Sequence, residues 1–305
     1  MWVIPLLVLL AAFPVAKPPL FFLTLFFSMF MYVALAESWN LLGGYTGYIS
    51  LGHVAFFCIG AYTTAVTMNR LGLSPFVTAP FGGILAAALA AIVGFPVLRL
   101  KGAYFTISSM LMAVVLQLIL MNWDFVGSST GLWYKLLPVS IEANRVIFYE
   151  VMLFLAFVVI LIVRWVEKSK FGAGLIAIRE DEDVAKTMGI HTPWLKIKAF
   201  VLGAFLGGTV GGIYGYYMSY VHPENTININ MSLLILLMSF FGGCRTWAGP
   251  LIGAVILSLV NQLFVTFIGA EVSRMLYGLL LIVVIIFMPN GVIQYLRSMF
   301  VREVR

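Results

Sequence analysis

Side chains able to do chemistry are scarce in this chain, and their spacing limits what that chemistry is. His53 closes the run Gly43-Gly44-Tyr45-Thr46-Gly47-Tyr48-Ile49-Ser50-Leu51-Gly52-His53, so the hydroxyls of Thr46 and Ser50 share one glycine-rich break with an imidazole. Such a set can line a polar path, or it can build a tight turn whose groups satisfy one another. His53 by itself reads as a hydrogen-bonded structural histidine ahead of a proton relay. Glu37 is an acidic residue inside an apolar run, where a charge is costly in lipid. No nucleophile–base pairing and no histidine-rich metal constellation stands out, so no catalytic and no metal-ligating residues are assigned. Cys58 and Cys244 lack metal-ligand spacing and read as packing residues. The phosphate-binding pattern G-x-x-x-x-G-K-[ST] is missing from the sequence, so this chain is not itself a P-loop ATPase.

The elements that position these groups are set by composition. Hydrophobic residues make up 62% of the 305 residues and charged residues only 10%, with a mean hydropathy of +1.06. Soluble chains run near a quarter charged. Apolar runs of about 20 residues, enough to cross roughly 30 Å of hydrocarbon as helix, recur along the chain, without the alternating segments of a β-barrel. The expected fold is an all-α polytopic membrane protein of about ten transmembrane helices, some short or broken, forming one transmembrane domain over 1–305. The net charge of +6 is no nucleic-acid signal, because its cations fall in loops between spans. Counting Lys and Arg with the N-terminus inside places thirteen on the inner side and five on the outer. Both termini are therefore expected in the cytoplasm.

The most hydrophilic stretch is Arg164 to Lys198, which holds 12 of the 30 charged side chains and is expected to be a cytoplasmic loop. Asp181 or Glu180 can cap a short helix, Glu182 and Lys186 stand at i,i+4, and Gly189 sits where a glycine ends a helix. Val184, Ala185 and Met188 form one apolar face, and Leu175 with Ile178 another. Connectors seldom carry apolar faces and capped ends together, so two amphipathic helices lying on the membrane surface are expected here.

Asp183-Val184-Ala185, three residues and Gly189 is similar to the E-A-A-x-x-x-G coupling motif of ABC importer permeases, with Asp in place of Glu and Val in place of one Ala. The wider string A-I-R-E-D-E-D-V-A-K-T-M-G-I resembles the branched-chain amino acid permeases, M-type subunit. The resemblance extends to W-N-L-L-G-G-Y-T-G-Y-I-S-L-G-H, L-R-L-K-G-A-Y-F, G-S-S-T-G-L and G-G-C-R-T-W-A-G-P-L-I-G-A, in order along the chain. It implies an importer of branched-chain or related amino acids in the inner (plasma) membrane. The partners implied are a second permease subunit of the H-type, two cytoplasmic ATPase subunits carrying ATP and Mg, and an external solute-binding protein. A permease for urea or short amides is a rival within the class. A self-contained secondary transporter is a rival outside it, and would need more mid-membrane carboxylates than Glu37.

On that resemblance, Leu175, Ile178, Arg179, Glu180, Asp181, Asp183, Ala185, Met188 and Gly189 are the expected coupling residues, with the faces around Ile178 and Met188 as docking knobs and Arg179 setting register. Candidates for the translocation path are Gly43, Gly44, Thr46, Gly47, Ser50, Gly52 and His53, together with the second break at Gly242 and Gly243. Gly203, Gly207, Gly211 and Gly215 recur every four residues and are expected to let helices approach closely. The segments Asn122 to Asn144 and His222 to Asn230 are expected on the outer side as binding-protein contacts, with Trp123, Trp133 and Tyr134 as rival interface anchors.

Overall fold

The computed structural model describes residues 9–135, 140–267, 269–287 and 291–292. Long helices dominate it, as the apolar runs require when no water is available to pair the backbone. A single 3-10 turn at Phe13–Ala16 leads into α1 (Leu20–Asn40) and the one-turn α2 (Gly43–Thr46). An unwound stretch, 47–52, separates α2 from α3 (His53–Leu71). Then come α4 (Pro75–Val97) and α5 (Ala103–Met121), two 3-10 turns, and the two-residue β1 (Leu132–Trp133). After it follow α6 (Ile141–Lys168), α7 (Lys170–Glu180), α8 (Glu182–Thr187) and α9 (Thr192–Met218). The last elements are β2 (Tyr220–Val221), α10 (Pro223–Thr226), α11 (Ile229–Gly242), α12 (Ala248–Phe267) and α13 (Ala270–Phe287).

Seven stretches of the described residues are long and apolar enough to cross a membrane: 20–46, 75–97, 103–121, 142–168, 192–218, 223–242 and 248–265. The expectation of about ten also counted Met1 to Phe13 and the helices at 53–71 and 270–287, which are not among these seven. The expected first span, Met1 to Phe13, lies mostly outside the described residues. The α3 helix carries three threonines, Asn69 and Arg70 in its second half, which makes it more polar than its neighbours. The α11 helix has 14 residues, about 21 Å at 1.5 Å per residue, which is too short to cross alone. A two-residue antiparallel ladder, Leu132 opposite Val221 and Trp133 opposite Tyr220, is an addition to the all-helical expectation.

The bundle is built around α9, which packs on α4, α3, α1 and α6. Its glycines explain how. Gly203 faces the Ser38 carbonyl of α1, Gly207 faces the His53 ring, Gly211 lies on the Phe57 backbone and Gly215 on the Tyr134 hydroxyl. On a second face, Gly208 meets Gly60 of α3 and Gly82 and Gly83 of α4, where three backbones touch with no side chain between them. A Cβ on Gly208 would stand 2.6 Å from the Ala86 Cβ. Lipid offers helices no hydrophobic reason to associate, so close van der Waals contact of this kind is the main attraction available to them.

At one end of the bundle lie α7, α8 and the first turn of α9, with the charged side chains; we call this the charged end. At the far end, β1 and β2 join the two segments expected as outer contacts. The His222 Nε2 lies 2.9 Å from the Ser129 carbonyl, and the Tyr220 hydroxyl donates to the Thr130 carbonyl at 2.7 Å. Trp123 and Trp133 are exposed there. Tyr134 is not an interface anchor: it is buried and donates to the Ala61 carbonyl at 2.6 Å.

Candidate functional site

The charged end is assembled from two helices too short to be stable alone. Ser169 starts α7 by accepting from the Gly172 amide at 3.2 Å. Asp181 starts α8 by accepting from the amides of Asp183 and Val184 at 2.8 and 3.0 Å. Each cap satisfies amides that a helix N-terminus leaves free. The α8 helix ends at Gly189, whose φ of +82° is open to glycine and strained for other residues. Lys186 lies 3.5 Å from Glu182 and 3.0 Å from Asp183, and Lys101 pairs with Asp183 at 3.3 Å.

The side chains do not all point where the pattern predicts. Leu175, Ile178 and Ala185 are buried against the bundle, so they seat α7 and α8 and are not docking knobs. The most exposed apolar side chains are Val184 and Met188, joined by Trp194 from the first turn of α9 and, less exposed, Ile176 of α7. Glu180, Asp181 and Asp183 are exposed. Arg179 also turns inward: its guanidinium donates to the Gly44 carbonyl and lies 3.8 Å from the Cys244 Sγ. It is therefore no free register-setting charge.

Arg179 thereby joins the two glycine breaks, which the sequence left 200 residues apart. The Asn40 side-chain amide donates to the Thr246 carbonyl at 3.3 Å, and Gly44 lies against the Cys244 carbonyl. Glu167 adds a third tie, accepting from the Tyr45 hydroxyl at 2.9 Å and the Trp247 amide at 2.6 Å. Arg164 stacks its guanidinium 5.1 Å above the Trp247 ring. Gly242 packs on Gly249 and Gly253, and Gly243 takes a φ of +108°. Cys58 and Cys244 are both free and buried.

The unwound stretch 47–52 runs from this junction into the bundle, and its backbone is satisfied by four side chains from three helices. Trp39 donates to the Ser50 carbonyl at 2.7 Å and Thr106 to the Ile49 carbonyl at 2.9 Å. Ser109 accepts from the Leu51 amide at 3.1 Å, and Ser232 donates to the Leu51 carbonyl at 2.7 Å. Irregular backbone at membrane depth requires such partners. Gly47 permits the turn with a φ of +78°, and Gly52 lies against the Ser109 carbonyl. Thr46 donates to the Leu42 carbonyl at 2.6 Å, while the buried Ser50 hydroxyl has no hydrogen-bond partner among the described residues. His53 is buried and hydrogen bonded to the Ser38 hydroxyl at 2.8 Å. Glu37 reaches no interface: it is fully buried, and its carboxylate has no side-chain hydrogen-bond partner among the described residues.

One connection between the surface helices and the unwound stretch escapes sequence reasoning entirely. Lys196 of α9 is almost fully buried and donates to Glu182 at 2.9 Å, to the Tyr48 hydroxyl at 2.9 Å and to the Leu98 carbonyl at 3.2 Å. Tyr48 donates in turn to the other oxygen of Glu182, and Thr192 to the first at 3.2 Å. Burial works against the charge on Glu182, but the bonds from Tyr48 and Lys196 and the charges of Lys196 and Lys186 outweigh it and hold its pKa down to about 2. The only sequence signal for this network is a lysine just inside an apolar helix.

A bundle of membrane-length helices with a broken, polar-lined segment inside and capped amphipathic helices at one end defines a multi-pass membrane transport protein. Residues 21–285 match the family described as branched-chain amino acid transport system / permease component, and the chain belongs to that family. Among curated relatives it is similar to the high-affinity branched-chain amino acid transport system permease protein LivM of Escherichia coli, at 26% identity over 300 residues, covering 88% of this chain and 68% of that protein. The probable LivM of Methanocaldococcus jannaschii is 27% identical over 255 residues, covering 76% of this chain and 74% of its own. The LivH permease of E. coli is 22% identical over 289 residues, covering 86% and 91%. No solved structure matches the chain.

Proposed function

We propose that this permease subunit forms half of the membrane core of an ATP-driven importer, paired with an H-type permease, and carries branched-chain amino acids across the inner membrane. The charged end then faces the cytoplasm, and Val184, Met188 and Trp194 dock on an ATPase subunit that holds ATP and Mg. An external solute-binding protein delivers substrate to the far end, at the joined 122–135 and 220–230 segments. The observation that carries the reading is the mounting of α8. A six-residue helix exposes two apolar side chains while an interior ion pair ties it to the unwound membrane segment through Tyr48. Movement imposed on α8 has a direct route to 47–52.

The test is co-expression with a neighbouring ATPase, then purification and uptake into vesicles. Asp183→Lys combined with Met188→Asp is expected to abolish co-purification and ATP-dependent leucine uptake while the permease still folds. Unchanged assembly and uptake would remove the coupling assignment. Uptake by this chain alone, without ATP, would favour a secondary transporter.

A further inference from the structure

The unwound stretch borders a cavity of about 260 Å³ between α5, the start of α3 and the 224–230 segment. Its depth follows from the helices around it. Lys101, at the foot of α5, pairs with Asp183 at the charged end. The cavity meets α5 from Met110 to Gln117, the middle turns of a 19-residue helix about 28 Å long. It therefore runs from the middle turns of α5 toward the far end, where the exposed Glu224 follows His222 and donates its amide to that ring at 3.3 Å. The α11 helix begins at the cavity wall and runs to the charged end, so its N-terminus stops inside the membrane instead of at a surface.

The walls divide by chemistry. Val54, Ala113, Val114 and Ile227 form an apolar side, of which Val54, Ala113 and Ile227 are nearly fully buried. Glu224, Asn228, Asn230 and Gln117 supply the polar side. The Glu224 carboxylate takes part in none of the ion pairs among the described residues. Asn228 caps α11 by accepting from the Asn230 amide at 2.9 Å, which orients the positive end of that helix toward the cavity. The volume falls just below the ~300–1,000 Å³ of pockets for drug-sized ligands, which suits a molecule the size of one amino acid.

We infer that this cavity is a station leading inward from the far end for a zwitterionic amino acid with a branched aliphatic side chain. The ammonium group pairs with Glu224, the carboxylate lies toward the N-terminal turn of α11, and the aliphatic group fills the wall of Val54, Ala113 and Val114. The inference rests on the import reading above and adds the place where substrate pauses. Discontinuous helices at mid-membrane with a helix N-terminus beside a polar pocket are the arrangement transporters use for such ligands. Urea and short amides present neither an ammonium for Glu224 nor a group for the apolar wall, so the cavity discriminates against them.

The experiment uses the complete importer, purified with its partner subunits and reconstituted in liposomes. Wild-type ATP-driven uptake of leucine comes first: its absence would overturn the import reading itself. Given that uptake, Ala113→Leu is expected to lower leucine and valine transport at least tenfold and alanine transport much less. Glu224→Gln should lower leucine uptake at least tenfold, with Glu224→Asp retaining more. In a Val114→Cys variant, leucine should slow maleimide labelling at least threefold and urea should not, and the native cysteines are buried and silent. Labelling indifferent to leucine, with Glu224→Gln transporting at the wild-type rate, would overturn the station. So would equal losses of leucine and alanine transport in Ala113→Leu with leucine-insensitive labelling.

Discussion

The Lys196 ammonium and the Glu182 carboxylate meet at 2.9 Å inside the charged end, both almost fully shielded from solvent. One belongs to a membrane helix and the other to a surface helix, so the pair is the joint between them. A buried pair adds little over a well-packed apolar contact, but removing one partner strands the other and costs about 3–5 kcal/mol.

Lys196→Met and Glu182→Gln are therefore each expected to free α8 locally without unfolding the bundle. Hydrogen exchange should show amide protection in 182–190 falling by two orders of magnitude or more, with α3 and α9 unchanged. Combining Glu182→Gln with Lys196→Met should cost less than the sum of the two, because no charge is left stranded.

The same joint gives a pH dependence of definite sign. The folded-state pKa of Glu182, about 2, lies below the ordinary carboxylate value. Its contribution is therefore fully present above the ordinary value and lost as pH falls through about 2. Protection of the α8 amides should decline between about pH 4.5 and pH 2 and not between pH 6 and pH 8. Glu182→Gln should flatten the acid limb.

Arg179→Ala should loosen the contact between the two glycine breaks. Cys244, buried beneath the guanidinium, is expected to react with maleimide at least tenfold faster, while Cys58 remains inert. Arg179→Lys should restore little, since a single ammonium replaces a planar guanidinium with several donors. Unchanged Cys244 labelling would mean that neighbouring backbone alone closes the junction.

Gly208→Val places a branched side chain where three backbones meet. Overpacking of this kind costs about 1–3 kcal/mol or more, and the detergent-solubilised protein should lose several degrees of thermal stability. Gly278→Val, on a helix position with open space around it, serves as the control and should melt with the wild type.

Much of this architecture was legible in the residues. Apolar runs marked the membrane helices, Asp181 and Gly189 bounded α8, and the break before His53 marked an unwound segment. Spacing failed where the question was what lies opposite a face. Leu175 and Ile178 form an apolar stripe whether their own bundle or a partner covers it, and the bundle does. Arg179 looked like one more surface charge because its acceptors, near Gly44 and Cys244, are remote in sequence. Lys196 was counted as a loop cation because periodicity carries no information on burial of a lone charge. Hydropathy registers apolar length, whereas α11 has only 14 residues and reaches membrane length together with the short α10 before it.

The glycine contact among α3, α4 and α9 has a mechanical corollary. Side chains let packed helices slide, because rotamers can swap one set of grooves for another. Bare backbone offers no such alternative, and a shift by one residue brings a Cβ into a carbonyl. The three helices thus form a keel that rotates as a unit or stays still, and compliance is confined to what hangs from it: the unwound segment 47–52, the α7–α8 pair and the α10–α11 turn.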